Sequence, residues 1–413
     1  MNLLKAFYCR AFQTVFRLAL PFLPYREPKI LHDCGELGQV VCAKRLKKVL
    51  IVTDAGIVCN GLTEPVEAAL QENGVAYVRY DQTEANPTVQ NVEQALACYH
   101  QNGCEGLIAI GGGSSMDCAK AVGARVVYPR RTVGQMKGIL RVLRPLPPLI
   151  AVPTTAGTGS ETTLAAVIKD PERQHKYALM SFPLIPHYAV LDASLTVSLP
   201  PSLTAQTGMD ALTHAVEAYL GRSTTRQTRA LALEAVQLIF ANLETAYRDG
   251  SNTAARKAML LAAYKAGAAF SKSYVGYVHA IAHSLGGQYG TPHGLANAVI
   301  LPYVLEAYGE TVHRKLHQLG VAAGICAEEE PDALAAARFI AAIRAMNARM
   351  GIPEKLPGIR RAEIPELARR AEREANPLYP VPKLMTAGEL EYFYHKIADW
   401  SSSYDKAADR SVA

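Results

Sequence analysis

The sequence has few aromatic and few charged residues for its length. Aromatic side chains make up 7% of the 413 residues, with a single tryptophan, and charged side chains make up 19%. The net charge of +6 is spread thinly, and no dense run of lysine and arginine alternates with aromatic residues. Nucleic-acid binding is therefore not indicated. An apolar content of 49% allows two globular domains with a large core.

The sequence also lacks any Cys-x-x-Cys pair. Eight cysteines in a chain this long do not form a disulfide framework. We expect reduced thiols, mostly in the core, and a cytoplasmic protein. The cysteines are Cys9, Cys34, Cys42, Cys59, Cys98, Cys104, Cys118 and Cys326.

No long uninterrupted hydrophobic run is present, although residues 1–28 are rich in apolar side chains. Lys5, Arg10 and Arg17 interrupt this stretch and Pro21 follows it, which excludes a spanning helix. A secretory signal is a poor match, because no small-residue cleavage site follows. A basic amphipathic helix could lie on a membrane or on a partner subunit. We favour an arm that folds onto its own domain over membrane contact.

Short β-branched runs alternate with helical patterns over residues 29–199. This alternation predicts a Rossmann-like α/β domain with a parallel, buried sheet. The predicted strands are 49–53, 75–80, 106–110, 149–152 and 189–192, with a hairpin formed by 163–169 and 175–180 across Asp170-Pro-Glu-Arg.

A domain boundary is expected at Pro200-Pro201, and residues 200–413 read as an all-α domain. Its first helix is predicted over Ser202–Leu220 with Ser202 as N-cap, and another over Tyr277–Leu285. Residues 352–381, rich in proline and arginine, are expected to cross the surface. The chain thus divides into an arm (1–28), an α/β dinucleotide-binding domain (29–199) and a helical metal-binding and substrate domain (200–413).

A glycine-rich turn follows the third strand of the α/β domain. Gly111, Gly112, Gly113 and Ser114 come directly before a helix predicted over Cys118–Ala124. Bare backbone N–H groups at a helix N-terminus favour a phosphate, although a tight βα turn explains the same glycines.

Two further stretches favour a dinucleotide. Asp54 ends the first strand, where a carboxylate can bind a ribose diol and repel a 2′-phosphate. The run from Pro153 to Ser160 supplies hydroxyls and glycines suited to a nucleotide groove.

Histidines and one aspartate recur at helical spacing in the second half of the chain. Asp210 and His214 are four residues apart, as are His279 and His283, and His293 follows a glycine-rich break. Residues at i and i+4 share one helix face. One carboxylate and four imidazoles suit iron(II), zinc, cobalt or nickel and are too rich in nitrogen for magnesium or calcium.

With these motifs together, the sequence resembles the iron-containing (group III) alcohol dehydrogenases from about Leu46 to about Trp400. The resemblance rests on Gly-Gly-Gly-Ser-x-x-Asp at 111–117, Pro-Thr-Thr-Ala-Gly-Thr at 153–158, Gly-x-Asp-Ala-Leu-x-His at 208–214, and His-Ala-x-Ala-His through Pro-His-Gly at 279–294. It departs from the family pattern at Ser115 and Lys272. The family implies a dehydroquinate synthase-like two-domain fold with the cofactor in the cleft.

The resemblance also implies roles for individual residues. The implied metal ligands are Asp210, His214, His279 and His293, and His283 would be a catalytic histidine in the proton path beside them. Asp54 would favour NAD over NADP. The other implied cofactor contacts are Gly111, Gly112, Gly113, Ser114, Asp117, Thr154, Thr155, Thr158 and Lys176.

We therefore expect a metal-dependent, NAD-linked alcohol dehydrogenase or aldehyde reductase that acts on a small alcohol or aldehyde. Iron(II) is favoured and zinc is the alternative metal. A homodimer is expected. One rival is a dehydroquinate-synthase-like lyase that uses NAD and zinc; its family has a Glu ligand where this chain has Asp210. A second rival is an inactive dehydrogenase-like scaffold.

Overall fold

A computed structural model describes residues 2–170 and 175–401 of the chain. The strands are β1 Lys29–Leu31, β2 Lys48–Val52, β3 Ala76–Tyr80, β4 Gly106–Gly111, β5 Gly138–Ile139, β6 Leu149–Pro153, β7 Ala165–Asp170, β8 His175–Met180 and β9 Tyr188–Val190. The α-helices are α1 Leu3–Ala19, α2 Cys34–Ala43, α3 Ala55–Cys59, α4 Glu64–Glu72, α5 Val89–Gln101, α6 Gly113–Val127, α7 Pro201–Leu220, α8 Arg226–Arg248, α9 Thr253–Ser273, α10 Tyr277–Tyr289, α11 His293–Tyr308, α12 His313–Ala322, α13 Asp332–Arg349, α14 Ile364–Ala375 and α15 Ala387–Ile397.

The chain forms two compact units, an α/β unit and a helical unit. The α/β unit comprises residues 24–199 and 250–271, and the helical unit comprises the described residues of 2–23, 200–249 and 272–401. These limits differ from the predicted domains, because residues 250–271 pack with the α/β unit. The backbones of Gly159 and Gly267 approach there so closely that a Cβ on Gly267 would lie 2.8 Å from the Gly159 carbonyl oxygen.

A six-stranded sheet in the order β1-β9-β6-β4-β2-β3 forms the centre of the α/β unit, and all its pairings are parallel. Every residue of β4 and of β6 is buried. Continuous apolar strands of this kind are typical of sheets covered on both faces. The predicted fold class, a parallel α/β domain followed by a helical one, is confirmed.

A second, three-stranded sheet has the order β5-β8-β7. Strands β7 and β8 pair antiparallel, as the predicted hairpin requires. The predicted turn falls partly on residues 171–174, which lie outside the described residues.

The helical unit departs from prediction in two places. Helix α7 begins with Pro201 at its first position, so Ser202 lies inside the helix and is not its N-cap. Proline suits this position because its missing N–H would be unbonded there anyway. Residues 352–381 do not simply cross the surface, because they include α14, which buries Ile364 and Leu367. No described helix is long and apolar enough to cross a membrane.

Helix α11 packs very closely against α7 at Gly294. A Cβ at this position would lie 2.3 Å from the backbone carbonyl oxygen of Gln206 in α7. A backbone carbonyl cannot rotate away as a side chain can. Glycine at 294 is therefore required for the spacing of these two helices.

We predict that Gly294→Ala lowers the free energy of unfolding by about 1–3 kcal/mol, because α11 must move away from α7 to relieve the overlap. Thermal and urea unfolding of the purified variant measure this. Gly287→Ala is the matched control, since a Cβ at Gly287 would have no neighbour within 4 Å. Equal stability of the two variants would contradict the proposed close approach.

Candidate functional site

Four side chains from three helices meet inside the helical unit. Asp210 and His214 come from α7, His279 from α10, and His293 from the first position of α11. One donor atom from each lies within 4.8 Å of the other three. These are the four residues that the resemblance implied as ligands.

The donor atoms of this cluster are close together, but not all of them are within hydrogen-bond distance of one another. Asp210 Oδ1 is 3.4 Å from His293 Nε2 and 3.8 Å from His279 Nε2, and Asp210 Oδ2 is 3.9 Å from His214 Nδ1. The last two distances are too long for direct hydrogen bonds. The rings of His214 and His279 stack with centroids 4.4 Å apart. Donors gathered in this way converge on a common point.

Burial favours the neutral form of two of these imidazoles. Burial lowers the pKa of His279 well below its usual value, and the neighbouring histidines lower it further. Burial likewise lowers the pKa of His293 to about 4, although 38% of its side chain is exposed. A neutral imidazole keeps a nitrogen lone pair for coordination. Three imidazoles and one carboxylate fit a divalent transition metal.

Glu217 lies behind His279 and orients it. Its Oε2 is 2.6 Å from His279 Nδ1, and the carboxylate also accepts the N–H groups of Gly276 and Val278, both at 2.8 Å. Burial raises the pKa of Glu217 to about 8, and the two backbone donors oppose that shift. With Nδ1 bonded to Glu217, Nε2 is the nitrogen of His279 that faces the cluster. Such outer contacts commonly orient ligating histidines.

Asn297 touches three of the four clustered residues. Its Nδ2 donates to Asp210 Oδ1 at 2.7 Å and lies 3.2 Å from His279 Nε2 and 3.1 Å from His293 Nε2. Its buried Oδ1 has no hydrogen-bond partner among the residues that the structure describes. Sequence reasoning assigned no role to Asn297 or Glu217. Helical spacing could have indicated both residues, because side chains four or seven positions apart lie on one helix face. Glu217 is seven residues after Asp210, and Asn297 is four residues after His293.

His283 stands beside the cluster rather than in it. Its Nδ1 is 2.6 Å from Glu374 Oε1, its side chain is 42% exposed, and its ring stacks on that of His293 at 5.1 Å. Burial opposes a charge on the ring, but the Glu374 carboxylate outweighs burial and raises the pKa of His283. Glu374 also accepts from Tyr379 Oη at 2.7 Å. Glu374 lies in α14. The sequence analysis predicted no helix there, so it did not identify Glu374 as a partner of His283.

The predicted nucleotide residues gather at one edge of the parallel sheet. Strands β2, β4 and β6 are neighbours, and their carboxyl ends lead into Asp54, Gly111 and Thr154. Asp54 Oδ1 accepts the Ile57 N–H at 3.0 Å and caps α3, while Oδ2 would lie 3.6 Å from a Cβ on Gly111. Ligands of open α/β sheets bind at this edge.

The glycine turn (residues 111–114) and the hydroxyl loop (residues 153–160) face each other. Cβ atoms on Gly112 and Gly113 would lie 3.6 Å from Thr155 Oγ1 and 3.5 Å from Thr158 Oγ1. Helix α6 begins at Gly113 and not at Cys118 as predicted, so Gly113 and Ser114 lie in its first turn. Bare N–H groups in the first turn of a helix favour an anion.

The buried Lys120, to which the sequence analysis assigned no role, connects the hydroxyl loop to α6. Lys120 Nζ donates to Ser160 Oγ at 2.9 Å, to Thr163 Oγ1 at 2.9 Å and to two backbone carbonyls. Burial lowers its pKa to about 8. Asp117, predicted as a cofactor contact, uses both oxygens internally, accepting from Ser160 Oγ and from the Val167 N–H, each at 2.9 Å.

Lys176 lies near the start of α6. Its Nζ donates to Asn86 Oδ1 at 2.8 Å, and the Asn86 N–H donates to Ser114 Oγ at 3.2 Å. Burial lowers the pKa of Lys176, and Lys169 lowers it further. The structure therefore links this predicted residue to the glycine turn through one asparagine.

Comparison with known proteins gives one family for both halves of the chain. The chain matches the family model "Iron-containing alcohol dehydrogenase" over residues 29–193 and "Fe-containing alcohol dehydrogenase family, C-terminal" over residues 204–398. It is 37% identical over 366 residues to 1,3-propanediol dehydrogenase of Klebsiella pneumoniae, covering 88% of this chain and 94% of that protein.

Solved structures show the same fold. A crystal structure of 1,3-propanediol oxidoreductase has a TM-score of 0.86 at 34% identity, covering 90% of this chain and 98% of the other. Sulfoacetaldehyde reductase from Bifidobacterium kashiwanohense, solved in complex with NAD+, has a TM-score of 0.81 at 28% identity, covering 91% and 98%. These matches favour the dehydrogenase over the lyase rival. The chain, with its Asp-His₃ cluster and its glycine turn, belongs to the iron-containing alcohol dehydrogenase family of oxidoreductases.

Proposed function

We propose that this protein catalyses the reversible, NAD-linked oxidation of a small primary or secondary alcohol to its carbonyl compound, with iron(II) held by Asp210, His214, His279 and His293. The observation that carries the proposal is the convergence of four donor atoms within 4.8 Å in a chain of this family. A bound divalent metal supplies Lewis acidity toward the alcohol oxygen, and NAD supplies the hydride acceptor.

The protein's own residues supply positioning and proton transfer. Glu217 and Asn297 hold the donor side chains in place, so that a substrate oxygen meets a preorganised centre. His283 is assigned to the proton path. Because Glu374 holds its Nδ1, the atom left to exchange a proton with substrate or water is Nε2.

The nucleotide is proposed to bind at the carboxyl edge of the parallel sheet. Its pyrophosphate is assigned to the N–H groups of Gly112 and Gly113, and Thr155 and Thr158 line the same turn. Asp54 is assigned to the ribose diol, which favours NAD over NADP. Asp117 is assigned to holding the hydroxyl loop. A cytoplasmic location and a homodimer are part of the proposal.

The activity itself is tested by screening purified protein, loaded with iron(II) or with zinc, for NAD reduction over a panel of alcohols and for NADH oxidation over the matching aldehydes. Metal-dependent turnover with at least one pair is expected. Full metal occupancy with no turnover on any pair would favour the inactive scaffold.

We predict that His293→Ala abolishes turnover and lowers the affinity for the metal, because three protein ligands remain instead of four. Metal content after dialysis and the steady-state rate measure this. The control is His317→Ala, whose imidazole bonds Asp332 outside the cluster. Retention of full metal and an unchanged rate in His293→Ala would contradict the ligand assignment.

We predict that His283→Gln and Glu374→Gln each keep the metal but lower turnover about 10²–10⁴-fold, as expected for loss of a general acid–base group. Metal content and pH–rate profiles distinguish a role in proton transfer from a structural one. Loss of metal in His283→Gln would make this residue a ligand. An unaltered pH–rate profile in both variants would make the pair structural.

We predict that Asp54→Ser relaxes the preference for NAD, because serine keeps the cap of α3 while it removes the charge that repels a 2′-phosphate. The ratio of kcat/KM for NAD to that for NADP should fall at least tenfold. Asp54→Asn, a neutral cap of the same size, serves as a second variant. An unchanged ratio in both would place Asp54 away from the ribose.

A further inference from the structure

Helix α1 is attached to the helical unit through one face only. Arg10 donates to the carbonyls of Val381 at 2.7 Å and Pro382 at 2.9 Å, and Gln13 donates to that of Tyr379 at 2.8 Å. Cys9 and Gln13 are buried on this face. The arm therefore folds onto its own unit, as the sequence analysis favoured.

The opposite face of α1 is apolar and exposed to solvent. Six large side chains there and in the following turn are 68% to 87% exposed: Leu3, Leu4, Phe7, Val15, Leu18 and Phe22. The outer face of an ordinary surface helix carries polar and charged side chains. Contiguous exposed apolar surface of this kind marks an interaction site.

This apolar face, which we name the α1 face (Leu3, Leu4, Phe7, Val15, Leu18 and Phe22), concentrates the exposed apolar side chains of the protein. Of sixteen large hydrophobic side chains exposed among the described residues, eight lie within residues 3–22. The remaining eight are scattered over residues 139–392. Single exposed hydrophobic residues need no explanation, but such a concentration does.

The charged side chains of α1 itself are all positive, although Lys5 Nζ is paired with Glu372 Oε1 of α14 at 2.6 Å. Residues 2–23 contain no aspartate or glutamate. Burial lowers the pKa of Lys315 to about 8, and the charges of Arg229, Arg222 and Arg17 lower it further. The side chains of Arg17, Arg222 and Arg229 are exposed. Lys315 itself is held by the carbonyls of Leu220 at 2.8 Å and Gly221 at 3.0 Å.

This combination of charge and apolar surface distinguishes two kinds of partner. A second copy related by a two-fold axis would add its own set of these arginines to the interface, and like charges repel. An anionic bilayer instead offers acyl chains to the apolar side chains and phosphates to the arginines. Helix α1 has 17 residues and carries three cations, so it can lie in one leaflet but not span both.

We propose that the α1 face is a membrane-docking surface, which inserts into the headgroup region of an anionic bilayer while the neighbouring arginines contact lipid phosphates. The enzyme would then be a peripheral membrane protein. This proposal does not depend on the catalytic assignment, since it uses none of the four clustered residues.

Flotation of the full-length protein with vesicles tests the proposal. Vesicles of phosphatidylcholine alone are compared with vesicles that also contain phosphatidylglycerol, at low and at high salt. The unaltered protein should float with the anionic vesicles at low salt, and binding should weaken at least tenfold at high salt, because the cationic contribution is screened.

The decisive variant is Phe7→Glu/Val15→Glu, which places two carboxylates on the α1 face. Its binding to anionic vesicles should fall at least tenfold. The matched control is Leu143→Glu/Leu334→Glu, which changes two side chains that are 67% and 54% exposed elsewhere. The control should float like the unaltered protein. Both variants should keep the thermal unfolding midpoint and the alcohol dehydrogenase rate, which excludes a folding defect.

Three results would overturn the proposal. The first is no flotation of the unaltered protein with anionic vesicles. The second is equal flotation of both double variants. The third is a smaller assembly of Phe7→Glu/Val15→Glu in light scattering without lipid, together with no vesicle binding by the unaltered protein, which would make the α1 face an interface between copies of this chain.

Discussion

The convergence of one buried carboxylate, two buried imidazoles and one partly exposed imidazole inside a helical unit constrains the residues around them. Polar atoms removed from water need partners, and a buried charge needs them most. Glu217 and the backbone N–H groups of Gly276 and Val278 satisfy the far side of His279. Asn297 Nδ2 donates a hydrogen bond to the Asp210 carboxylate. The close approach of α11 to α7 at Gly294 follows from the same requirement, because His293 and Asn297 reach the cluster only from a helix packed tightly on α7.

The environment, more than the residue type, separates the roles of these histidines. His279 is enclosed, and its pKa is depressed by burial, so it remains neutral and its Nε2 keeps a lone pair. His283, one helical turn away, is 42% exposed and bonded to a carboxylate that raises its pKa. A neutral ring suits coordination, while a ring paired with a carboxylate suits proton exchange. One helix thus supplies two chemically different imidazoles.

In the α/β unit, the carboxyl edge of the parallel sheet is the proposed site for the nucleotide. The order of the parallel sheet places β2, β4 and β6 side by side, so three loops that are far apart in sequence share one edge. Lys120 and Asp117 secure the hydroxyl loop against α6 through Ser160. Burying the charged Lys120 costs free energy because its ammonium group leaves water. Its hydrogen bonds to four oxygen atoms offset that cost and order the loop.

Sequence alone determined the class of the fold and named the four side chains that cluster in the helical unit. Apolar runs between helical patterns predicted the parallel sheet, and the i, i+4 spacing predicted that Asp210 and His214 share a face, because both depend only on local backbone geometry. Only the tertiary structure decided which imidazole of the His279–His283 pair joins the cluster, since that depends on how α10 is rotated against α7. It likewise decided that Asn297 meets Asp210, 87 residues earlier, and that α14 brings Glu374 to His283. It also showed that α1 packs on its own unit through the face that carries Cys9, Arg10 and Gln13 and exposes its apolar face, because helical periodicity marks faces but not what packs on them.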